Sequence, residues 1–469
     1  MMSHVATFRD APVTQDITQP IRATKAIPAG HPIFQEVALV ASTFGDSMHP
    51  DCCVCDHHDE YDDCAEPQNE PPTNDDGGYT RPPVAVDDDD VETMSPHVLD
   101  SFAALMAHCD RVPVLKMVDV RKNLFKLLRL HEVNASHPSL ALLHTVPIDT
   151  DDFAEYHDAA ANLRASFGGI VPTTLADNDV AHLIGVLNHK YCHALNEIEG
   201  SGVFVYSSVL THSCVPNCNL TVTGTTIWIT AIQDIAPGQV LTVDAADLFY
   251  RPLNERKECL AVDKITCTCD LCELRAPDLA RAFKCQACAD GIVHPTGHVY
   301  ACTTCRVEWS DGQIQDAVAQ EDAIVETLDA TTLVELDEFI ATSLLHPFHY
   351  IFFWALDDLH TMCVDSNVDN VDLAKIYRRL LDCLNYTLPY PHDEKVQHYD
   401  HLAQTLVAIG DIPGATAAYE AAYAMSCLCS GNDYDESQLY WRLSTNTPTT
   451  KEALLHVYKH NGDDGDVRP

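Results

Sequence analysis

Positive charge is what this sequence has least of. Lys and Arg total 28 against 70 Asp and Glu, a formal net charge of -42 over 469 residues. Such a surface repels a phosphate backbone, which excludes nucleic acid as a direct partner. It suits a basic protein partner, such as a Lys-rich segment or a histone tail, and it also keeps a chain in solution. Long apolar runs are missing too. The apolar "IFFWAL" at 351–356 falls far short of the roughly 18 residues that a membrane span needs. The opening "MMSHVATFRDAPVTQD" lacks the apolar stretch of a secretory leader. These absences predict a monomer with no membrane partner, placed in the cytoplasm and/or the nucleus.

Cysteine is plentiful, with 20 residues. In a reducing compartment thiols serve metal ligation more often than disulfides. "CTCDLC" supplies Cys267, Cys269 and Cys272, one ligand short of the four that a tetrahedral zinc site takes. Cys214, in "SSVLTHSCVPNCNL", is the candidate for the fourth. Downstream, Cys285, Cys288, Cys302 and Cys305 form C-x2-C, thirteen residues, C-x2-C, a full four-thiolate set. Two structural Zn²⁺ ions are therefore expected, in closed sites with no position left for water or substrate. The pairs do not interleave, which excludes a RING-type adaptor. A further group of Cys52, Cys53, Cys55, His57, His58 and Cys64 offers either a third metal site or a solvated loop.

Composition divides the chain. Residues 1–16 read as a tail and 17–42 as short strands around the turn "PAG". Residues 43–95 are acidic and Pro-rich, with few large apolar groups, which predicts a disordered insertion. Residues 96–195 read as helical. "VRKNLFKLLRLHEV" puts Val120, Leu124, Leu127 and Leu128 on one face, and Asp177 or Asp179 is a cap for the helix that follows. Residues 196–258 return to alternating, β-rich text with turns at "TGTT" and "APGQ". Residues 259–312 hold the cysteines. Residues 313–469 read as helices, with a hairpin at "GDIPG" whose Ala415, Ala418, Ala421 and Ala422 suit close packing. No strict 34-residue period is present. The fold class is α+β followed by an all-α domain.

These elements, in this order, resemble the SET-domain protein-lysine methyltransferases of the SET and MYND type. "IRATKAIPAGHPIFQEVALV" is similar to the split N-terminal SET strand, "LNHKY" to a cofactor-contacting Asn segment, and "THSCVPN" to Asn-His-Ser-Cys-x-Pro-Asn. "DIAPGQVLTVD" is similar to the Gly-Glu-Glu-Leu strand, and "NERKECLAVDKITCTCDLC" to the helix and cysteines of the post-SET region. The helical end is similar to the family's tetratricopeptide-like domain. The resemblance implies small SET sheets with a helical insert, Cys214 joining the post-SET trio on zinc, and methyl transfer from S-adenosylmethionine to a protein lysine. It carries cofactor contacts to Asn188, Thr211, His212 and Ile265.

The text departs from the family at the positions that would do the chemistry. "TQP", Thr18 to Pro20, stands where the family has Gly-x-Gly, whose backbone meets the cofactor. Thr211 replaces the motif Asn, and Ile265 replaces an aromatic. Phe204 stands where some members carry a second Tyr. The family's catalytic Tyr position is Ala245; Tyr250 becomes the catalytic candidate only if the strand register slips by five residues. The MYND finger's seven-Cys, one-His pattern is missing. Two expectations follow: a methyltransferase whose activity is weakened or lost, or a non-catalytic scaffold that binds a protein through its groove and helical domain.

Overall fold

The computed structural model describes residues 6–8, 13–14, 16, 19–43, 105–146, 148, 151–188, 192–195, 199–262, 264–365 and 370–459. Thr18, the insertion at 43–95 with its Cys52, Cys53, Cys55, His57, His58 and Cys64, and the chain's last ten residues lie outside them, apart from Thr43, which ends a strand.

Among the described residues, two small sheets and a two-strand ladder build the first half. Strands β1 (Ala6–Phe8), β2 (Pro32–Val37), β7 (Cys218–Thr223) and β8 (Thr226–Ala231) form an antiparallel sheet in the order β1-β2-β8-β7. The stretch expected to be a tail thus contributes an edge strand, with Thr7 opposite Gln35. Gly224 turns the β7–β8 hairpin at φ 51, a conformation that glycine adopts without steric cost. β3 (Ala41–Thr43), β4 (Cys192–Leu195) and β5 (Gly200–Val203) form a second antiparallel sheet in the order β3-β5-β4. The ladder is β6 (Thr211–His212) with β9 (Thr242–Val243), paired in parallel. Ile21, Ile27, Ile33, Phe34, Phe204, Ile227, Ile229 and Leu241 fill the core between these strands.

Helices α1 (Val118–Val133), α2 (Pro138–Leu143), α3 (Phe153–Phe167) and α4 (Asp177–Leu187) make the helical insert. Val120, Leu124, Leu127 and Leu128 are all buried in its core, as their spacing requires. At the start of α4, Asp179 accepts from the Ala176 N–H at 2.8 Å, reaching back over one turn. After α5 (Leu253–Val262) come the cysteine-rich segment and a sheet of β10 (Phe283–Lys284), β11 (Ile292–Thr296) and β12 (Val299–Cys302).

The remainder is helical: α6 (Asp311–Thr327), α7 (Leu333–Thr342), α8 (Tyr350–Asp365), α9 (Asn370–Thr387), α10 (Asp393–Ala408), α11 (Ile412–Cys429), α12 (Asp435–Thr445) and α13 (Lys451–Lys459). The hairpin at "GDIPG" joins α10 to α11. Gly410 takes φ 81, and Asp411 accepts from the Gly414 N–H at 3.1 Å as the N-cap of α11. Ala415, Ala418 and Ala422 are buried in the helical core, and Ala421 is half-buried. This domain docks on the first sheet. Asn219 donates to the Asp393 carboxylate at 2.7 Å, and the Thr221 and Ser430 hydroxyls lie 3.0 Å apart. Cys427 and Leu428 of α11 approach the turn at Gly30.

Candidate functional site

The site begins with a crossing. The chain at 211–217 runs beside the chain at 240–245, and the two are bonded throughout. Ser213 N–H donates to the Val243 carbonyl at 3.0 Å. The Asn217 amide donates to the Val240 carbonyl at 2.8 Å, and its Oδ1 accepts from Thr242 N–H at 2.8 Å. Leu241 N–H donates to the Ile21 carbonyl at 2.9 Å, which draws the first strand segment into the same knot. These bonds fix the register. Thr211 faces Thr242, and the Ala245 N–H donates to His212 Nδ1 at 3.2 Å. Ala245, not Tyr250, therefore stands beside His212.

Tyr250 goes elsewhere. It is 2% exposed, takes φ 56, and donates its hydroxyl to the Phe348 carbonyl at 2.9 Å. Its ring stacks on Phe353 of α8, with centroids 4.0 Å apart. Burial pushes the phenol well above its usual range. Phe249 beside it packs on Trp354 and His392, at 5.8 and 5.0 Å. The pair anchors the helical domain on the loop that leaves the crossing. Asp244 shapes that loop by accepting from Ala246 and Leu248 N–H groups at 3.2 and 2.9 Å.

The four residues expected to meet a cofactor are spread over different tasks. Thr211 is exposed at the start of β6. His212 is buried, with Nε2 3.5 Å from the Cys214 sulfur and Nδ1 3.5 Å from Asp244 Oδ1. Asn188, which caps the end of α4, donates from Nδ2 to the Val114 and Ile184 carbonyls, both at 2.9 Å. Both amide hydrogens are thereby spent on backbone. Ile265 is half-buried and packs with Leu248, Leu260 and the cysteines around Cys214. Pro20 is exposed, and Phe204 is fully buried in the sheet core.

The cysteines converge. The sulfurs of Cys214, Cys267, Cys269 and Cys272 lie within 4.8 Å of one another, as do those of Cys285, Cys288, Cys302 and Cys305. A tetrahedron of 2.3 Å zinc–sulfur bonds has edges of about 3.8 Å. Cys214 lies 3.5 Å from Cys272 and 4.0 Å from Cys267, and Cys285–Cys305 and Cys288–Cys302 each span 3.7 Å. Gly291 confirms the crowding at the second group, because a Cβ there would sit 2.4 Å from Cys302 Sγ and 2.5 Å from Cys288 Sγ. Both groups can hold a zinc ion. The first is tied to the helical domain, since Tyr390 donates its hydroxyl to the Cys214 carbonyl at 3.3 Å. Arg256, 3% exposed, supplies a buried cation close by and pairs with Asp278 at 3.3 Å. The second is set in the joint with α6–α8, where Lys284 N–H donates to the Leu344 carbonyl at 2.7 Å.

Between these parts lies a cavity of about 170 Å³. Leu248 to Arg251 form one wall, Leu271 and Leu279 a second, and Leu388 to Tyr390 a third. It is predominantly apolar and sits where the crossing loop, the cysteine segment and the helical domain meet.

Two site-shaping residues gave no signal in the sequence. Glu36 is wholly buried and accepts from the N–H groups of Val205, Tyr206 and Ser207 at 2.6, 2.9 and 2.8 Å, and from the Ser207 hydroxyl. Burial raises its pKa, against the pull of those hydrogen bonds. It ties down the turn that leads into β6. Asp244 was hidden in the same way: an acid in a chain full of acids carries no mark of its partners.

Sheets joined by a crossing of this kind, with a cysteine from the crossing facing three downstream, define a SET domain, and the family model for the SET domain matches residues 20–244. Residues 20–244 form a SET domain. Its sequence is similar to the human histone-lysine N-methyltransferase SMYD3, 30% identical over 87 residues, and to the human N-lysine methyltransferase SMYD2, 29% identical over 109 residues. The SMYD2 protein of Gallus gallus is 28% identical over 106 residues. These matches cover 19%, 23% and 22% of this chain and 20%, 21% and 20% of the relatives, so the chain spans about a fifth of the length of the proteins it matches. Among the described residues no helix is long and apolar enough to cross a membrane.

Proposed function

We propose that this protein is a SET scaffold that holds two structural zinc ions and grips a basic protein segment, and that transfers methyl groups weakly or not at all. The hydroxyl of Tyr250 carries the reading. It is the nearest phenol in sequence to the family's catalytic position, and it is committed to the Phe348 carbonyl with its ring stacked on Phe353. Ala245, at the family position, has no hydroxyl. A missing donor of this kind typically lowers a rate by about 10² to 10³. The cofactor contacts point the same way. Pro20 has no N–H to offer. Thr211 lacks an amide, Asn188 has already given both amide hydrogens to backbone, and Ile265 has no flat face for an adenine ring. The residues present fit S-adenosylmethionine poorly.

The cysteines fit zinc well, by sulfur spacing and by the cradle at Gly291. A ligand segment is taken at the cavity between the crossing loop, the cysteine segment and the helical domain. The net charge of -42 selects a Lys-rich one by long-range attraction. The test is calorimetric titration of the full chain with S-adenosylmethionine, followed by methyl transfer to histone and Lys-rich peptides. We expect no micromolar cofactor binding, and peptide binding that weakens with salt. Micromolar cofactor affinity with turnover would overturn the reading in favour of a live lysine methyltransferase, as the names of SMYD2 and SMYD3 describe those relatives.

A further inference from the structure

A third cluster of metal-ligating side chains lies in the helical domain, far in sequence from every cysteine of the two zinc groups. On α10, Glu394, His398 and His401 follow each other at four and three residues, so they share one helix face. His360 of α8 meets them. Its ring centroid lies 6.3 Å from that of His398 and 6.4 Å from that of His401. Tyr377 of α9 completes the group, 5.9 Å from His398 and 5.7 Å from His401.

The polar accounts of this group do not close. His360 Nε2 lies 2.9 Å from the Tyr377 hydroxyl, and Nδ1 makes no hydrogen bond, with the Asp357 carboxylate 4.0 Å away. His398 is 3% exposed, and neither of its ring nitrogens makes a hydrogen bond. Glu394 Oε1 lies 3.3 Å from His398 Nε2, an ion-pair distance along one helix face, so Nδ1 is the ring nitrogen left open. A ring held at one nitrogen by an outer partner while the other is open is the usual posture of a metal-bound imidazole.

We infer that His360, His398, Glu394 and His401 form a site for a divalent transition-metal ion such as Zn²⁺ or Co²⁺, separate from both cysteine groups. Imidazole and carboxylate drawn from facing helices are the ligand set that helical bundles use for such ions. The four groups do not lie within one ion's reach of each other as they stand, since among the described residues only the two cysteine sets do. Binding therefore includes rotation of the partly exposed Glu394 and His401 side chains toward His398. Hard oxygen-seeking ions are disfavoured by the imidazoles.

The experiment loads the full-length protein with zinc until the thiolate sites are saturated, then titrates Co²⁺. We expect one further equivalent per chain, with weak d–d absorption and no sulfur-to-cobalt charge-transfer band. His360→Ala and His401→Ala should each weaken this equivalent by about tenfold or more, with zinc content at the cysteines unchanged. Because His401 is only partly buried, its variant keeps the test decisive if substitution at His398 or His360 prevents folding. No further equivalent, an equivalent with sulfur charge transfer, or one that both variants retain at full affinity would each overturn the site.

Discussion

Gly291 has no side chain because two sulfurs occupy the space. Gly291→Ala forces Cβ into Cys302 and Cys288, and we expect zinc content to fall from about two ions per chain to about one, measured by atomic absorption on purified protein. Cys214→Ala should lower the content equally and also loosen the crossing at 211–217, because metal binding and folding are coupled. Tyr250→Phe separates structure from catalysis. The ring and its stack on Phe353 survive, and the Phe348 carbonyl loses its donor. The expected loss is about 1–3 kcal/mol of stability, read by denaturant unfolding, with no change in any methyl transfer. The cysteines were legible in the sequence because their spacing is set by the turn that aims two sulfurs at one ion. Tyr250 was legible as a residue but not as a role. Only the register between β6 and β9, made by backbone bonds between distant segments, decides which side chain stands beside His212.

Elements were read most easily where periodicity is long. The α1 face and the hairpin after α10 follow from apolar spacing and from the Gly-Asp-Ile-Pro-Gly turn. Asp411→Ala removes the cap bond to Gly414 and should cost about 1 kcal/mol. Hydrogen exchange should show it as faster exchange confined to the first turn of α11. The two-residue strands β6 and β9 carried no such signal, because two residues have no period. The three-residue β1 was equally silent, and its text read as tail. The docking of α10 on β7 was illegible for a different reason. Asn219, Asp393 and Thr221 are polar residues whose worth lies in partners more than 170 positions away.

For the molecule as a whole, the joint between the domains is rich in buried ionisable groups. Arg281 binds Glu321 through both oxygens, at 3.0 Å from Nε, and His349 Nε2 lies 3.2 Å from the same carboxylate. Burial lowers the pKa of His346 to about 4, and that of His392 to about 4. A histidine depressed in the folded state costs nothing above its ordinary pKa near 6.5. As pH falls from there toward 4, the unfolded chain takes up protons that the folded chain refuses, and stability is lost. Histidine-selective NMR should find both rings still neutral at a pH of about 5.5, where a free imidazole is charged. Their full charging by that pH would disprove the burial assigned to them. The extreme acidity of the chain was plain from composition, but which acids face a partner and which, like Glu36, serve the interior was not.

The strand order of the first sheet has a consequence in time. Pro32–Val37 pairs with Thr226–Ala231, so an early strand finds its neighbour only after about 190 further residues have been made. At ribosomal rates of about 5–20 residues per second, β2 waits roughly 10–40 s with only β1 beside it. Closing so long a loop adds little to the entropic cost, since that cost grows only with the logarithm of length. The cost falls on speed: pairings this remote in sequence make for slow folding. Ile33 and Phe34, later sealed in the core, spend that interval exposed on an open strand edge.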